Sequence, residues 1–222
     1  MRYDYLFFDL DGTLTDSKEG IFKSAAAALE EMGRPVPPAG VMNQFIGPPL
    51  YDSFREYCGL SDGDARQAVQ LFRARYGAVG LYENAVVPGL PDLLDRLRRR
   101  GYVLALASSK PEPLCRKIVE KFGYAPSLRE VVGSSGRVDE NKETVIRRTM
   151  ARLRLGAGDC SRILMIGDRK FDVEGARACG LDCLGVTFCD YAPEGELAAA
   201  GAIAVVATVA ELETFLCPES AQ

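Results

Sequence analysis

The stretch Tyr3-Asp4-Tyr5-Leu6-Phe7-Phe8-Asp9-Leu10-Asp11-Gly12-Thr13 decides the reading of this chain. Its run from Tyr3 to Phe8 lacks strict alternation, which suits a strand covered on both faces. At its end Asp9 and Asp11 stand two residues apart, so an extended backbone points both carboxylates the same way. Gly12 then lets the chain turn sharply. Ligand sites in open α/β sheets form beyond the carboxyl ends of the strands. Two carboxylates held so close repel one another unless a cation or a proton intervenes.

Working outward, further short apolar runs end in Asp, Ser or Gly: Tyr102 to Ala107, Val131-Val132, Ile163 to Ile166, Leu184 to Thr187 and Ile203 to Ala207. Helical periods lie between them, with faces read as Leu93, Leu94, Leu97, then Leu114, Ile118, Phe122, then Val145, Ile146, Met150, Leu153. Strand and helix in alternation mean an α/β fold with a parallel sheet and right-handed crossovers. One region breaks the alternation. From about Lys18 to Glu83 only helices are expected, the first carrying Ile21, Ala25, Ala28, Leu29 and Met32 on one face. Asp16 with Glu19 has the spacing of a capping box for it. Breaks follow at residues 34–38 and at Gly47-Pro48-Pro49, and residues 62–76 read as a helix with an exposed arginine-rich face.

Composition narrows the chemistry. The 222 residues contain no histidine, so histidine-based triads, histidine-ligated zinc and histidine general bases are all excluded. The excess of 31 acidic over 27 basic residues argues against nucleic acid or an anionic membrane as partner. The seven cysteines form no CxxC pair and are expected to be reduced. No apolar run approaches the ~18 residues of a membrane span, and the start of the chain does not read as a signal peptide. A cytoplasmic location is expected.

Three other places sharpen the site. One strand ends at Ser108-Ser109-Lys110, another at Gly167-Asp168 with Asp172 four residues on, and Lys142 lies at a helix start. Carboxylates bind Mg²⁺ as hard oxygen ligands. Hydroxyls, backbone N–H groups and an ammonium bind phosphate oxygens. Together they describe a site for a Mg²⁺-bound phosphoryl group, with Lys142 preferred to Lys110 as the phosphate cation.

The set Asp9-x-Asp11-Gly12-Thr13, Ser108, Lys142 and Gly167-Asp168-x-x-x-Asp172, in this order, resembles the haloacid dehalogenase superfamily. The resemblance implies a Rossmann-like parallel core in three layers, residues 1–15 and 86–222, with an inserted all-helical cap domain at 16–85. It is similar to the branch holding phosphoglycolate phosphatases and 5′-nucleotidases. It further implies Asp9 as nucleophile, Asp11 as general acid and base, and Ser108, Ser109 and Lys142 as phosphoryl contacts. Mg²⁺ is the implied cofactor, held by Asp9, Asp11, Asp168 and Asp172, with Asp11 contributing its backbone carbonyl. Lys110 and Gly47 are expected substrate contacts.

The expected function is Mg²⁺-dependent hydrolysis of a small phosphate monoester, phosphoglycolate-like or a nucleoside monophosphate, through an aspartyl-phosphate. A phosphomutase and a phospho-acceptor signalling module are the alternatives. Arg169 and Lys170 stand beside the anion pocket either as substrate contacts or as salt-bridged structural cations. Asp172 serves the helix cap, the metal, or both. Gly175 and Ala176 are expected to let a helix pack closely on the sheet, and Arg96, Arg98, Arg99 and Arg100 to form a solvated helix end. Residues 13–17 and 81–88 are the expected hinges.

Overall fold

The structure, a computed structural model, describes residues 2–137 and 140–218. It contains two compact units, residues 16–85 and the remainder. In chain order the strands are β1 (Tyr5–Phe8), β2 (Thr15–Asp16), β3 (Ala85–Val86), β4 (Val103–Pro111), β5 (Glu130–Ser134), β6 (Ile163–Gly167), β7 (Asp182–Val186) and β8 (Ala204–Val206). The helices of the 16–85 unit are α1 (Lys18–Glu31), α2 (Ala39–Met42), α3 (Leu50–Cys58) and α4 (Asp62–Ala78). Those of the larger unit are α5 (Leu90–Arg99), α6 (Glu112–Lys121), α7 (Lys142–Arg152), α8 (Lys170–Ala178), α9 (Glu196–Ala200) and α10 (Val209–Leu216).

In the larger unit six strands lie in the order β5-β4-β1-β6-β7-β8, all neighbours parallel. This is the Rossmann arrangement, whose strand order reverses beside the first strand. β1 is central, and Leu6, Phe7 and Phe8 are fully buried, which explains its unbroken apolar run. Phe7, Ala105, Ala107, Val132, Ile163 and Met165 face Val145, Ile146 and Met150 of α7 and Val173 and Ala176 of α8. α5 packs on β4 and on α10. The register Phe8↔Leu106 and Phe8↔Ile166 brings Ala107, after which the β4 register becomes irregular, and the end of β6 level with Asp9.

In the 16–85 unit α1 packs on α4, and α4 on α3. Ile21, Ala25, Ala28 and Leu29 supply the buried side of α1, and Ala65, Ala68, Val69, Phe72 and Tyr76 that of α4. Phe45 meets Phe54 edge-on at 5.1 Å between centroids. The two connecting segments pair with each other as β2 and β3.

Four local expectations need correction. The capping box of Asp16 and Glu19 does not form: α1 starts one residue later, Ser17 holds the cap position, and Asp16 Oδ1 accepts the N–H of Lys18 at 3.1 Å. The buried face of α6 is Cys115, Ile118 and Val119, with Leu114 and Phe122 only partly covered. On α4, Arg66 and Arg73 are exposed but Arg75 is half-buried, pairing with Glu83 at 2.8 Å and donating to Ser24 Oγ at 3.0 Å. The arginines ending α5 are not merely solvated: Arg96 makes a two-pronged bond to Glu213, at 2.8 and 2.7 Å.

Candidate active site at the carboxyl end of the sheet

Asp9 follows the central strand directly, and its N–H donates to Ile166 O at 2.9 Å. The turn after it hangs on one acceptor: Leu10 O takes the N–H groups of Leu14 and Thr15 at 2.9 and 3.0 Å and the Thr15 hydroxyl at 3.4 Å. Gly12 sits in this turn at φ +80°. A Cβ there would lie 2.0 Å from Asp168 Oδ2, so only glycine lets the turn close onto the end of β6. The Thr13 hydroxyl donates to Asp168 Oδ1 at 3.4 Å.

Lys142 is the first residue of α7, whose cap is Asn141, its Oδ1 accepting the Thr144 N–H at 3.0 Å. The Lys142 ammonium is 2.6 Å from both Asp9 Oδ1 and Asp172 Oδ1. Its side chain is only 4% exposed, and the space for its stem comes from Gly175, where a Cβ would lie 2.9 Å from Lys142 Cβ and Cγ. The close packing expected of Gly175 is therefore against Lys142. Asp172 sits in the first turn of α8 and does serve the helix start, Oδ2 accepting the Arg169 N–H at 3.1 Å.

β4 runs through Ser108, Ser109 and Lys110 to Pro111, with a register irregularity after Ala107. Ser108 is buried and its hydroxyl accepts the Lys110 N–H at 3.3 Å, whereas Ser109 is exposed. The Lys110 ammonium lies 2.8 Å from Asp11 Oδ1. The structure thus brings Asp9, Asp11, Lys110, Lys142 and Asp172 into direct contacts, with Asp168 just past the end of β6 and Ser108 inside β4, which runs on to Pro111 rather than ending at Ser108. Gly47 belongs to the 16–85 unit, in the turn before α3, at φ +108°. Arg169 is buried in a salt bridge with Glu196, Nε to Oε1 at 2.8 Å, which assigns its charge to the fold, while Lys170 is exposed. That pair was not readable in the sequence: Glu196 opens the short helix α9 with no motif around it.

Charge is unbalanced here. Four carboxylates (Asp9, Asp11, Asp168, Asp172) face two ammonium groups (Lys110, Lys142). Burial, with the neighbouring Asp172 and Asp9 charges, holds Asp168 well above the usual carboxylate range. Burial likewise pushes Asp9 up to about 6, against the pull of Lys142. Burial works against the Lys142 charge, but Asp172 and Asp9 outweigh it and raise its pKa. Carboxylate oxygens of Asp9, Asp168 and Asp172 lie within 4.8 Å of one another. Asp168 Oδ2 is buried with no hydrogen-bond partner. An anionic oxygen in that condition is costly, and a hard divalent cation supplies both the missing charge and the missing contact. The residues present fit Mg²⁺.

The family model described as haloacid dehalogenase-like hydrolase matches residues 6–186. The chain is 40% identical over 200 residues to the 5′-nucleotidase of Pseudomonas aeruginosa, covering 90% of this chain and 89% of that one. It is 32% identical over 217 residues to a phosphoglycolate phosphatase of Cupriavidus necator, covering 96% and 93%. Over 178 residues it is 39% identical to tyrosine-protein kinase PtkA of Mycobacterium tuberculosis, which is 80% of this chain but only 60% of that protein's length. Among solved structures, a predicted phosphatase from Clostridium acetobutylicum superposes with a TM-score of 0.89 at 39% identity, covering 98% of this chain and all of the other. No helix among the described residues is long and apolar enough to cross a membrane. The chain therefore belongs to the haloacid dehalogenase-like hydrolase family, as one of its phosphatases.

Proposed function

We propose that the protein is a Mg²⁺-dependent hydrolase of a small phosphate monoester, phosphoglycolate-like or a nucleoside monophosphate, working through an aspartyl-phosphate on Asp9. The observation that carries the reading is the buried, unpartnered Asp168 Oδ2 beside Asp9 and Lys142 at the switch point of the sheet. The names of the Pseudomonas and Cupriavidus relatives support the two substrate classes.

An Asp9 carboxylate oxygen attacks phosphorus, and the bond from phosphorus to the ester oxygen breaks. Asp11 gives its proton to that leaving oxygen, then takes one from the water that attacks the phosphoryl-aspartate, freeing phosphate and Asp9. Lys110, 2.8 Å from Asp11, holds that carboxylate in place between the two steps. Ser108, the Ser109 N–H and Lys142 hold the phosphoryl oxygens and offset charge in the transition state. Mg²⁺, when bound by Asp9, Asp168 and the Asp11 carbonyl with Asp172 beside them, supplies positive charge that offsets the phosphoryl oxygens. Asp172, whose oxygens accept from Lys142 and the Arg169 N–H, would act in or just outside the ligands of that ion.

The test is phosphate release from a panel of monoesters (phosphoglycolate, nucleoside 5′-monophosphates, sugar phosphates, an aryl phosphate) with Mg²⁺ and with EDTA. Mg²⁺-dependent release from one compound far above the others is the expected result. Release unaffected by EDTA, or full activity in Asp9→Asn, overturns the mechanism. Isomerised sugar phosphate without free phosphate shows a mutase instead.

A further inference from the structure

Arg169 and Glu196 form an ion pair that the mechanism above does not use, and burial makes it worth explaining. Their side chains are only 8% and 11% exposed. Burying two charges is offset only when geometry is good and the remaining polar atoms are satisfied. Here the geometry is two-pronged: Glu196 Oε1 accepts Arg169 Nε at 2.8 Å and Oε2 accepts Nη2 at 3.3 Å. Oε1 also accepts the backbone N–H of Lys170 at 3.0 Å. One residue earlier, the backbone N–H of Arg169 donates to Asp172 Oδ2. Two consecutive amides between Asp168 and Asp172 are therefore each held by a carboxylate, one from inside the turn and one from α9. The Arg169 guanidinium ties the same turn to α9 through two further bonds. Of the carboxylates in the site, only Asp168 has an oxygen among the buried atoms without a partner, and Asp168 is the residue that opens this turn, between the end of β6 and the start of α8.

We propose that Glu196 is a positioning residue for divalent-cation binding: it fixes the turn Asp168–Asp172 from α9 and so sets the affinity for the ion without touching it. This rests on the reading of Asp168 as a Mg²⁺ ligand. Outer partners of metal ligands commonly change affinity by roughly ten- to a hundredfold when removed. A purely stabilising pair behaves otherwise, since a buried ion pair can be replaced by apolar residues at little cost in stability.

The experiment is calorimetric titration of the metal-free full chain with MgCl₂, for the wild type, Glu196→Gln and the double variant Arg169→Met with Glu196→Leu, with melting temperature measured in EDTA. The expected result is a Mg²⁺ dissociation constant raised roughly tenfold or more in both variants. The double variant should keep that loss even with a melting temperature near wild type. At saturating Mg²⁺, KM for the preferred phosphate ester should stay within about twofold of wild type while half-saturating Mg²⁺ rises. Wild-type Mg²⁺ affinity in a folded Glu196→Gln protein, or its recovery in the double variant, overturns the proposal and leaves the Mg²⁺ reading standing. A wild type that binds no Mg²⁺, or an Asp168→Asn variant that binds as well as wild type, overturns both.

Discussion

Two acidic clusters of the larger unit make an instructive pair. Around Glu112, at the start of α6, Glu112 and Glu130 meet Arg116 and Arg152 with contacts of 2.8, 2.8 and 4.0 Å, and both arginines also donate to Val131 O. Charges match there. Burial opposes the Glu112 charge, but Arg152, Arg116 and the Gly133 N–H outweigh it and bring its pKa down to about 2. At the carboxyl end of the sheet the carboxylates outnumber the cations, and burial drives Asp9 and Asp168 the opposite way. A cluster that serves the fold settles its charges within the chain. A cluster that serves chemistry leaves a deficit for a ligand to fill.

The contrast predicts unequal responses to neutralisation. The largest is Asp9→Asn, which should reduce phosphate release by on the order of 10⁴-fold or more, with the protein still folded by circular dichroism. Residual turnover near wild type would break the comparison at once. Next, Asp168→Asn should cut activity by roughly 10²–10³-fold and yet raise the melting temperature in EDTA. The sign follows from linkage: a carboxyl whose folded pKa lies above its unfolded value costs stability once ionised, so removing its charge at pH 7 relieves the fold. A lower melting temperature for Asp168→Asn would place its cluster with that of Glu112.

A smaller effect is expected of the ion itself. Saturating Mg²⁺ should stabilise the wild type by about 3 kcal/mol at a hundred times its dissociation constant, read as a higher melting temperature absent from Asp168→Asn. The smallest belongs to Glu112→Gln, which should leave kcat/KM unchanged and cost about 1 kcal/mol at pH 7, since partly solvated ion pairs are screened. The folded pKa of Glu112 is depressed, so its contribution is present above its ordinary value of 4.5 and is lost as pH falls from there towards 2. Melting curves across that window should converge for variant and wild type; parallel curves would show that the arginines do not act through its charge.

The parts of the molecule readable from sequence were those whose cause is local. Apolar runs marked the inner strands of the main sheet because burial on both faces demands them, and the edge strand β8 kept an apolar run though Val205 is exposed; Asp9, Asp11, Asp168 and Lys142 stood out because they follow strand ends or begin a helix. What depends on partners distant in the chain was less visible. The contact of Lys110 with Asp11 requires the β1–β4 register, and the pairing of Arg169 with Glu196 requires knowing where α9 lands. The inward turn of Arg75 depends on Glu83 beyond the end of α4. The face of α6 was misread by one position because Cys115, a small buried residue, carries less pattern weight than Leu114 or Phe122.

The register of the central strand also bears on how the protein is made. Tyr5 pairs with Val103 on one side and with Ile163 on the other, and the whole 16–85 unit is synthesised between the first two. A strand of four apolar residues with no sheet to join must wait, while the helical segment behind it can satisfy its own contacts locally. Pairing across such separations is slow, because loop closure must precede any gain. A nascent chain halted before β6 would carry Asp9 and Asp11 but neither Asp168 nor the neighbour that seats them. It would also expose a bare β1 edge open to association with other chains. Assembly of the acidic cluster is thus gated by biosynthesis: Asp9, the nucleophile of the proposed reaction, emerges early and meets Asp168 and Lys142 only when the later half of the chain closes around it.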